Sequence, residues 1–141
     1  MTQSSDQSDA AANQNTIEET ARFTPKFDSH GLIPAIVMDS ETNDVAMFAW
    51  MNELALSETQ RTGLAHFWSR SRKKIWCKGE ESGNLLRVRK IRTDCDQDCL
   101  VIDADVEGSG VACHTKRKSC FYRELGPAGE DGITSLTFSD N

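Results

Sequence analysis

The chain has 141 residues, a formal net charge of −6, 38% hydrophobic residues and a mean hydropathy of −0.52, enough for one buried core but not two. The acidic balance argues against a protein whose main task is to grip a nucleic-acid backbone, although a local basic cluster can still hold a small phosphorylated substrate. No apolar run approaches the roughly 20 residues that span a bilayer, and the N-terminus has no apolar signal-peptide core, so a cytoplasmic protein with no membrane or nucleic-acid partner is expected.

Residues 1–22 are rich in Ser, Gln, Asp, Asn and Ala, and up to Thr20 Ile17 is the only large apolar side chain after Met1. Such a stretch buries too little apolar surface to offset its ordering entropy and is expected to be a disordered tail. The working domain is read as 23–125. Residues 126–141, interrupted by Gly126, Pro127, Gly129 and Gly132, are expected to be weakly structured.

Within the domain, Leu32 to Met38 and Val45 to Trp50 are short apolar runs separated by the polar turn Asp39 to Asp44, the pattern of a β-hairpin. Asn52 is placed to cap a helix from about Glu53 to Thr62, with Gly63 as its stop. Strand character returns at Leu64 to Trp68. After the basic stretch Arg70 to Lys74 it returns again at Ile75 to Gly79, at Leu85 to Thr93 with imperfect alternation of apolar and basic residues, at Cys99 to Ile102, and at Gly110 to Cys113. One main helix among many short strands predicts an α+β, mostly β domain with a short-stranded sheet. Its edges need covering, and a second copy of the chain is a natural cover.

The chemically dense segment is Asp94-Cys95-Asp96-Gln97-Asp98-Cys99. Three carboxylates in five residues repel one another unless a cation neutralises them, and oxygen donors suit Mg2+ or Ca2+. On an extended backbone the period of two puts Asp94, Asp96 and Asp98 on one side and Cys95 on the other, so that hard oxygens and a soft, zinc-favouring thiolate face different ways. An EF-hand loop would need Gly where Cys99 stands. A solvated acidic turn is the plain alternative, but the downstream Cys113-His114 and Cys120 weigh against it. Five cysteines with no secretory signal read as thiols or metal ligands rather than a disulfide framework. Their spacing is not that of a closed structural zinc knuckle, which makes an open site with three protein ligands attractive.

Taken together, the run from Trp76 to Asn84, Asp94 to Asp98, Ala112 to Thr115 and Ser119 to Phe121 closely resemble phosphoribosyl-AMP cyclohydrolase, and Ala49 to Glu53 and Ser69 to Arg72 fit the same pattern. The resemblance runs from about Phe27 to Glu124. It implies a pseudo-barrel domain in an intertwined homodimer that hydrolytically opens the adenine ring of phosphoribosyl-AMP between N1 and C6, the third step of histidine biosynthesis. It further implies one Zn2+ per subunit, held by Cys113 and Cys120 of one chain and Cys95 of its partner, and one Mg2+ per subunit at Asp94, Asp96 and Asp98.

His114 becomes the candidate for proton transfer or water orientation, with a supporting structural histidine as its alternative. Arg70, Arg72 and Lys78 become candidates for the substrate phosphate, with Ser82 and Asn84, and also Ser69 and Ser71, as hydrogen-bond donors. Gly79 and Gly83 would let backbone approach the ligand. Lys73 and Lys74 read as a solvated face, Trp76 as a base-stacking or core residue, and His66 as structural.

Cys77 and Cys99 stand where the pattern requires no cysteine, so an alternative ligand set is conceivable, and Lys116 stands where many relatives have Gly. No fused pyrophosphatase domain is expected after Leu125. Two rival readings are a zinc-stabilised RNA-binding module, which the acidic charge disfavours, and a thiol redox protein, which lacks a Cys-x-x-Cys pair.

Overall fold

The computed structural model describes residues 16–139. The apolar runs of Ile33–Asp39 (β1), buried at Ile33, Ala35 and Val37, and Val45–Met51 (β2) pair antiparallel across the polar turn, from Ile33 opposite Met51 to Met38 opposite Val45. The helix Glu53–Thr62 (α1) follows at once. Asn52 Oδ1 accepts the Ala55 N–H at 2.8 Å, and Gly63, at φ 75°, ends the helix by donating to the Thr59 carbonyl. Losing that cap costs a helix about 1 kcal/mol, so Asn52→Ala is expected to lower the midpoint of thermal unfolding by a few degrees, measured by circular dichroism.

Five further strands lie C-terminal to the helix within the domain or just beyond it: His66–Ser69 (β3), Lys74–Cys77 (β4), Leu86–Thr93 (β5), Leu100–Val106 (β6) and Arg123–Ala128 (β7). Thr134–Phe138 (β8) closes the chain. Six of the eight strands form one sheet in the order β4-β3-β2-β1-β6-β5, antiparallel except where β1 lies parallel to β6. The sheet curls until Leu64 bridges Arg87 near its far edge, with Ala65 donating to the Leu86 carbonyl and Val88 to that of Gly63. The result is a half-barrel, the coarse form of the α+β, mostly β expectation. Its concave side is filled by Ile33, Val37, Met51, Phe67, Leu100 and Ile102, with Ala55 and Leu56 of α1 packed against them.

The imperfect alternation of β5 has a local cause. A register shift between Val88 and Lys90 inserts one residue, so the inward phase carried by Leu86 and Val88 passes to Ile91. The basic residues left outside pair with the acids of β6 and the turn after it: Arg87 with Glu107, Arg89 with Asp105, and both Lys90 and Arg92 with Asp103.

Three expectations change. Gly110 to Cys113 is not a strand: Gly110 has φ 79°, and the chain folds into a local turn in which Ala112 donates to the Lys118 carbonyl and Cys113 to that of Arg117. The C-terminal stretch carries a hairpin of β7 and β8, whose register shift between Leu125 and Ala128 accommodates Gly126 and Pro127. Of the tail expected over 1–22, the first fifteen residues lie outside the described ones, whereas 16–19 are helical and 17–26 are hydrogen-bonded to the domain. Among the described residues no helix is long and apolar enough to cross a membrane.

Candidate active site

The acidic segment is a turn between β5 and β6 rather than an extended strand. Asp94 Oδ1 accepts the N–H groups of Asp98 (3.0 Å) and Cys99 (3.1 Å), its carbonyl accepts from Gln97, and Gln97 takes a left-handed φ of 58°. An aspartate that bonds to the backbone a few residues ahead closes such a turn. The strict two-sided alternation expected for Asp94 to Asp98 therefore does not hold. The turn nevertheless gathers the three carboxylates: one oxygen each from Asp94, Asp96 and Asp98 lie within 4.8 Å of one another.

Their mutual repulsion shows in their titration. The neighbouring carboxylates of Asp94 and Asp96 push Asp98 up to about 6. Partial burial works against the charge of Asp94, but its bonds to Asp98, Asp96 and two backbone N–H groups hold its carboxyl below the ordinary value. Oxygen donors this close are a fit for a hard cation.

The second cluster lies in the loop between β6 and β7. Lys116, at φ 71°, donates to the Cys113 carbonyl and turns the chain back. The left-handed conformation explains why glycine suits this position. Beyond it, Ser119 Oγ donates to the Val45 carbonyl and the Cys120 N–H to that of Ala46, along the part of β2 that β3, paired only through Trp50 and Trp68, leaves free.

This docking brings the Cys120 thiol beside that of Cys113, and Thr115 Oγ1 donates to Cys113 Sγ at 3.1 Å. Burial opposes ionisation of Cys113, but Thr115, Cys120 and the nearby Lys78 ammonium outweigh it and lower its pKa. Packing and the neighbouring Cys113 push Cys120 up to about 11. One thiol is thus poised to ionise first, and a soft cation would stabilise both as thiolates. His114 is exposed next to this pair.

Asp94 to Asp98 precede β6 in the chain and Cys113 and Cys120 follow it, with Cys120 docked on β2 at Ala46, and no thiol lies among the gathered carboxylates. Cys95 is exposed on the acidic turn and forms no ligand group with Cys113 and Cys120. Among the described residues the aspartate triplet is the only group of three potential ligand atoms this close together.

Of the expected substrate residues, Lys78 sits by the thiol pair. Arg70 and Arg72 are exposed on the turn between β3 and β4, Arg70 stacked over Trp50 at 5.3 Å and Arg72 donating its N–H to Ser69 Oγ. Ser82 and Asn84 lie on the turn between β4 and β5. Asn84 donates its N–H to Ser82 Oγ, and its Oδ1 accepts from both the N–H (2.8 Å) and hydroxyl (3.0 Å) of Ser109, which ties the turn to the loop that leads to Cys113.

Gly79 has a different reason from close ligand approach: at φ 86°, a Cβ there would lie 2.3 Å from the Asn84 carbonyl carbon. Trp76 packs on Phe67 against the core, and His66 bonds through Nδ1 to the Leu64 carbonyl. Burial raises the pKa of Cys77 and, with the neighbouring Asp94 and Asp98, that of Cys99. Two contributors were not singled out from the sequence as site residues, Thr115 and Gln97. For Thr115 the available signal was a hydroxyl two residues from a thiol, and for Gln97 an amide inside an acidic turn.

The sequence model of the family described as phosphoribosyl-AMP cyclohydrolase matches residues 47–122. That span holds the acidic turn, the thiol pair, and the basic turn with Arg70 and Arg72. The chain is 48% identical over 128 residues to a phosphoribosyl-AMP cyclohydrolase of Agrobacterium fabrum, covering 91% of this chain and 85% of that one. It is 50% identical over 130 residues to one of Brucella abortus, covering 92% of each, and 52% identical over 126 residues to one of Brucella canis, covering 89% of each. The chain belongs to the phosphoribosyl-AMP cyclohydrolase family. It is accordingly a hydrolase of histidine biosynthesis. Family membership sets aside the RNA-binding and redox readings, and the pairing of the β5 cations with β6 acids removes the basic face that the first of them needs.

Proposed function

We propose that the chain hydrolyses phosphoribosyl-AMP at the N1–C6 bond of its adenine ring, giving the phosphoribosylformimino aminoimidazole carboxamide ribotide, in a homodimer that completes each site from both subunits. The observation that carries this is that the chain forms two chemically different half-sites, a carboxylate triplet on the turn before β6 and two thiols on the loop after it, that make no common ligand group. Cys113 and Cys120 are two of the three protein ligands that an open zinc site takes. Cys95, exposed on the acidic turn and not grouped with the two thiols in its own chain, supplies the third from a second copy. The same contact would bring Asp94, Asp96 and Asp98, which could hold Mg2+, toward the thiols. A zinc ion so held supplies Lewis acidity and makes water acidic enough to act near neutral pH.

The chain's own residues do the rest. Thr115 orients the Cys113 sulfur, and Lys78 adds positive charge that favours the thiolates and faces an anionic substrate. Arg70 and Arg72, exposed on their turn, and Lys78 form the cationic side that receives the phosphate, with Ser82 and the amide of Asn84 as further donors. His114, adjacent to a ligand thiol and exposed, is placed to hand a proton to the ring nitrogen where negative charge develops. The reading is tested by incubating the purified chain with phosphoribosyl-AMP, Mg2+ and trace zinc while following the ultraviolet spectrum. Ring opening is expected, and a folded, zinc-loaded dimer without turnover overturns it.

A further inference from the structure

The acidic turn is held by something other than its own hydrogen bonds. Gln97, at its centre, is 4% exposed, one of the two buried polar side chains among the described residues. Its Oε1 accepts the Thr24 N–H at 2.7 Å, and its Nε2 donates to the carbonyls of Arg22 (3.2 Å) and Ile17 (3.4 Å). Its main chain works both ways as well: the carbonyl accepts from the Lys26 N–H at 2.7 Å, and the N–H donates to the carbonyl of Asp94.

Residues 17–26 thus cross the acidic turn as a strap fastened at a single residue. Beside that fastening the strap passes over a hollow of about 330 Å3 walled by Leu56, Gln60, Ile91 and Leu100, so packing under it is incomplete and the glutamine bonds hold it down. The amide is matched to its partners. A carboxylate would point an oxygen at two carbonyls, and an apolar side chain would leave a buried N–H and two carbonyls unpaired, each at a cost.

We propose that Gln97 is a positioning residue for the hard-cation site, clamping the strap of residues 17–26 onto the β5–β6 turn and so fixing the backbone on which Asp96 and Asp98 stand. The inference rests on the magnesium reading above. Its physical ground is that Gln97 lies between two of the three gathered aspartates and takes a left-handed conformation. A non-glycine residue holds that conformation when surrounding bonds enforce it. Groups that orient ligands without touching the metal change its affinity by about 10- to 100-fold.

The test uses Mn2+ as a paramagnetic probe of the full-length chain, displaced by Mg2+ and read by electron paramagnetic resonance. Gln97→Ala removes the clamp from the turn. Thr24→Pro removes one of its N–H partners from the strap side, where φ is not positive, and leaves the turn's own sequence intact. Each is expected to raise the Mn2+ dissociation constant about tenfold, and the double variant no further than the worse single one, because both break one connection.

Thermal unfolding separates this from a merely structural role. Variants that melt earlier but bind Mn2+ as tightly as the parent overturn the proposal, as does simple additivity in the double variant. If Gln97→Ala does not fold, Thr24→Pro alone decides, in the same two directions. Asp96→Asn in the parent background tells the two readings apart. Mn2+ binding indifferent to that change overturns the magnesium reading and this inference together. Binding that Asp96→Asn weakens and Gln97→Ala and Thr24→Pro leave alone overturns this inference only.

Discussion

Cys95→Ala and Cys113→Ala chains, each inactive alone, are expected to recover about a quarter of the parent activity when unfolded together and refolded in equal amounts. The expectation follows from the proposed shared site. Cys95, on the acidic turn, forms no ligand group with Cys113 and Cys120 within one chain, so the third thiol would come from a partner. In the proposed two-fold dimer each site would take Cys95 from one chain and the thiol pair from the other. In a mixed dimer one site then carries both substitutions and the other carries neither. Random pairing makes half the dimers mixed, each with one intact site.

Alone, either variant is expected to lose activity by at least about a thousand-fold, ~4 kcal/mol of barrier. Cys113→Ala is also expected to lose bound zinc, measured by atomic absorption. Cys77→Ala is the control: that thiol is half-buried on β4, opposite His66, and burial keeps it protonated, so metal content should not move. Demonstrated heterodimers without recovered activity would count against shared ligands, and an empty site in Cys77→Ala would show that the ligand set is wrong.

The second large effect is one of stability. Gly79→Ala is expected to cost about 3 kcal/mol or more and to lower the unfolding midpoint by ~10 °C. Gly83→Ala, four residues along the same turn, is expected to cost only about 1 kcal/mol. Both glycines have a φ near 85°, so the conformational penalty is shared. They differ in what a Cβ would meet: nothing within 4 Å at Gly83, but the Asn84 carbonyl carbon at 2.3 Å and the Leu85 nitrogen at 2.5 Å at Gly79. These are main-chain atoms, with no flexible side chain to yield. Because Lys78 precedes Gly79 and Asn84 ties the turn to the loop that leads to Cys113, Gly79→Ala should also disturb the thiol cluster. Equal melting of the two variants would show that the turn yields and that close approach is not the reason for glycine at 79.

Much of this molecule was legible residue by residue because its signals are local. Asn52 capping Ala55, Gly63 closing the helix, and the apolar runs on either side of Asp39 to Asp44 are settled by bonds or periodicities a few residues long, and they lie where the sequence places them. The family was legible too, because the ordered run of motifs belongs to one family.

What depends on pairing between distant segments was not legible. The extra residue in β5 inverts its phase and made a buried-face pattern look defective. The segment from Asp94 to Asp98 could be written as a strand because its alternation suits one, yet the bonds from Asp94 to the backbone of Asp98 and Cys99 make it a turn. Gly110 to Cys113 is apolar enough for a strand, but the cross-links to Arg117 and Lys118 curl it back on itself. Residues 17–26 gave no signal of attachment, since their partner is one amide some 75 positions away, between Gln97 and Arg22.

By itself the sequence determined which chemistry the chain carries and which short elements it builds, because side-chain preference and local hydrogen bonding act within a few residues. Only the tertiary structure decided that the three carboxylates gather on a turn, that Cys120 docks on β2 beside Cys113, and that a buried glutamine bonds the N-terminal strap to the acidic turn. Those facts follow from strand pairing and chain reversal over tens of residues, which no local pattern records.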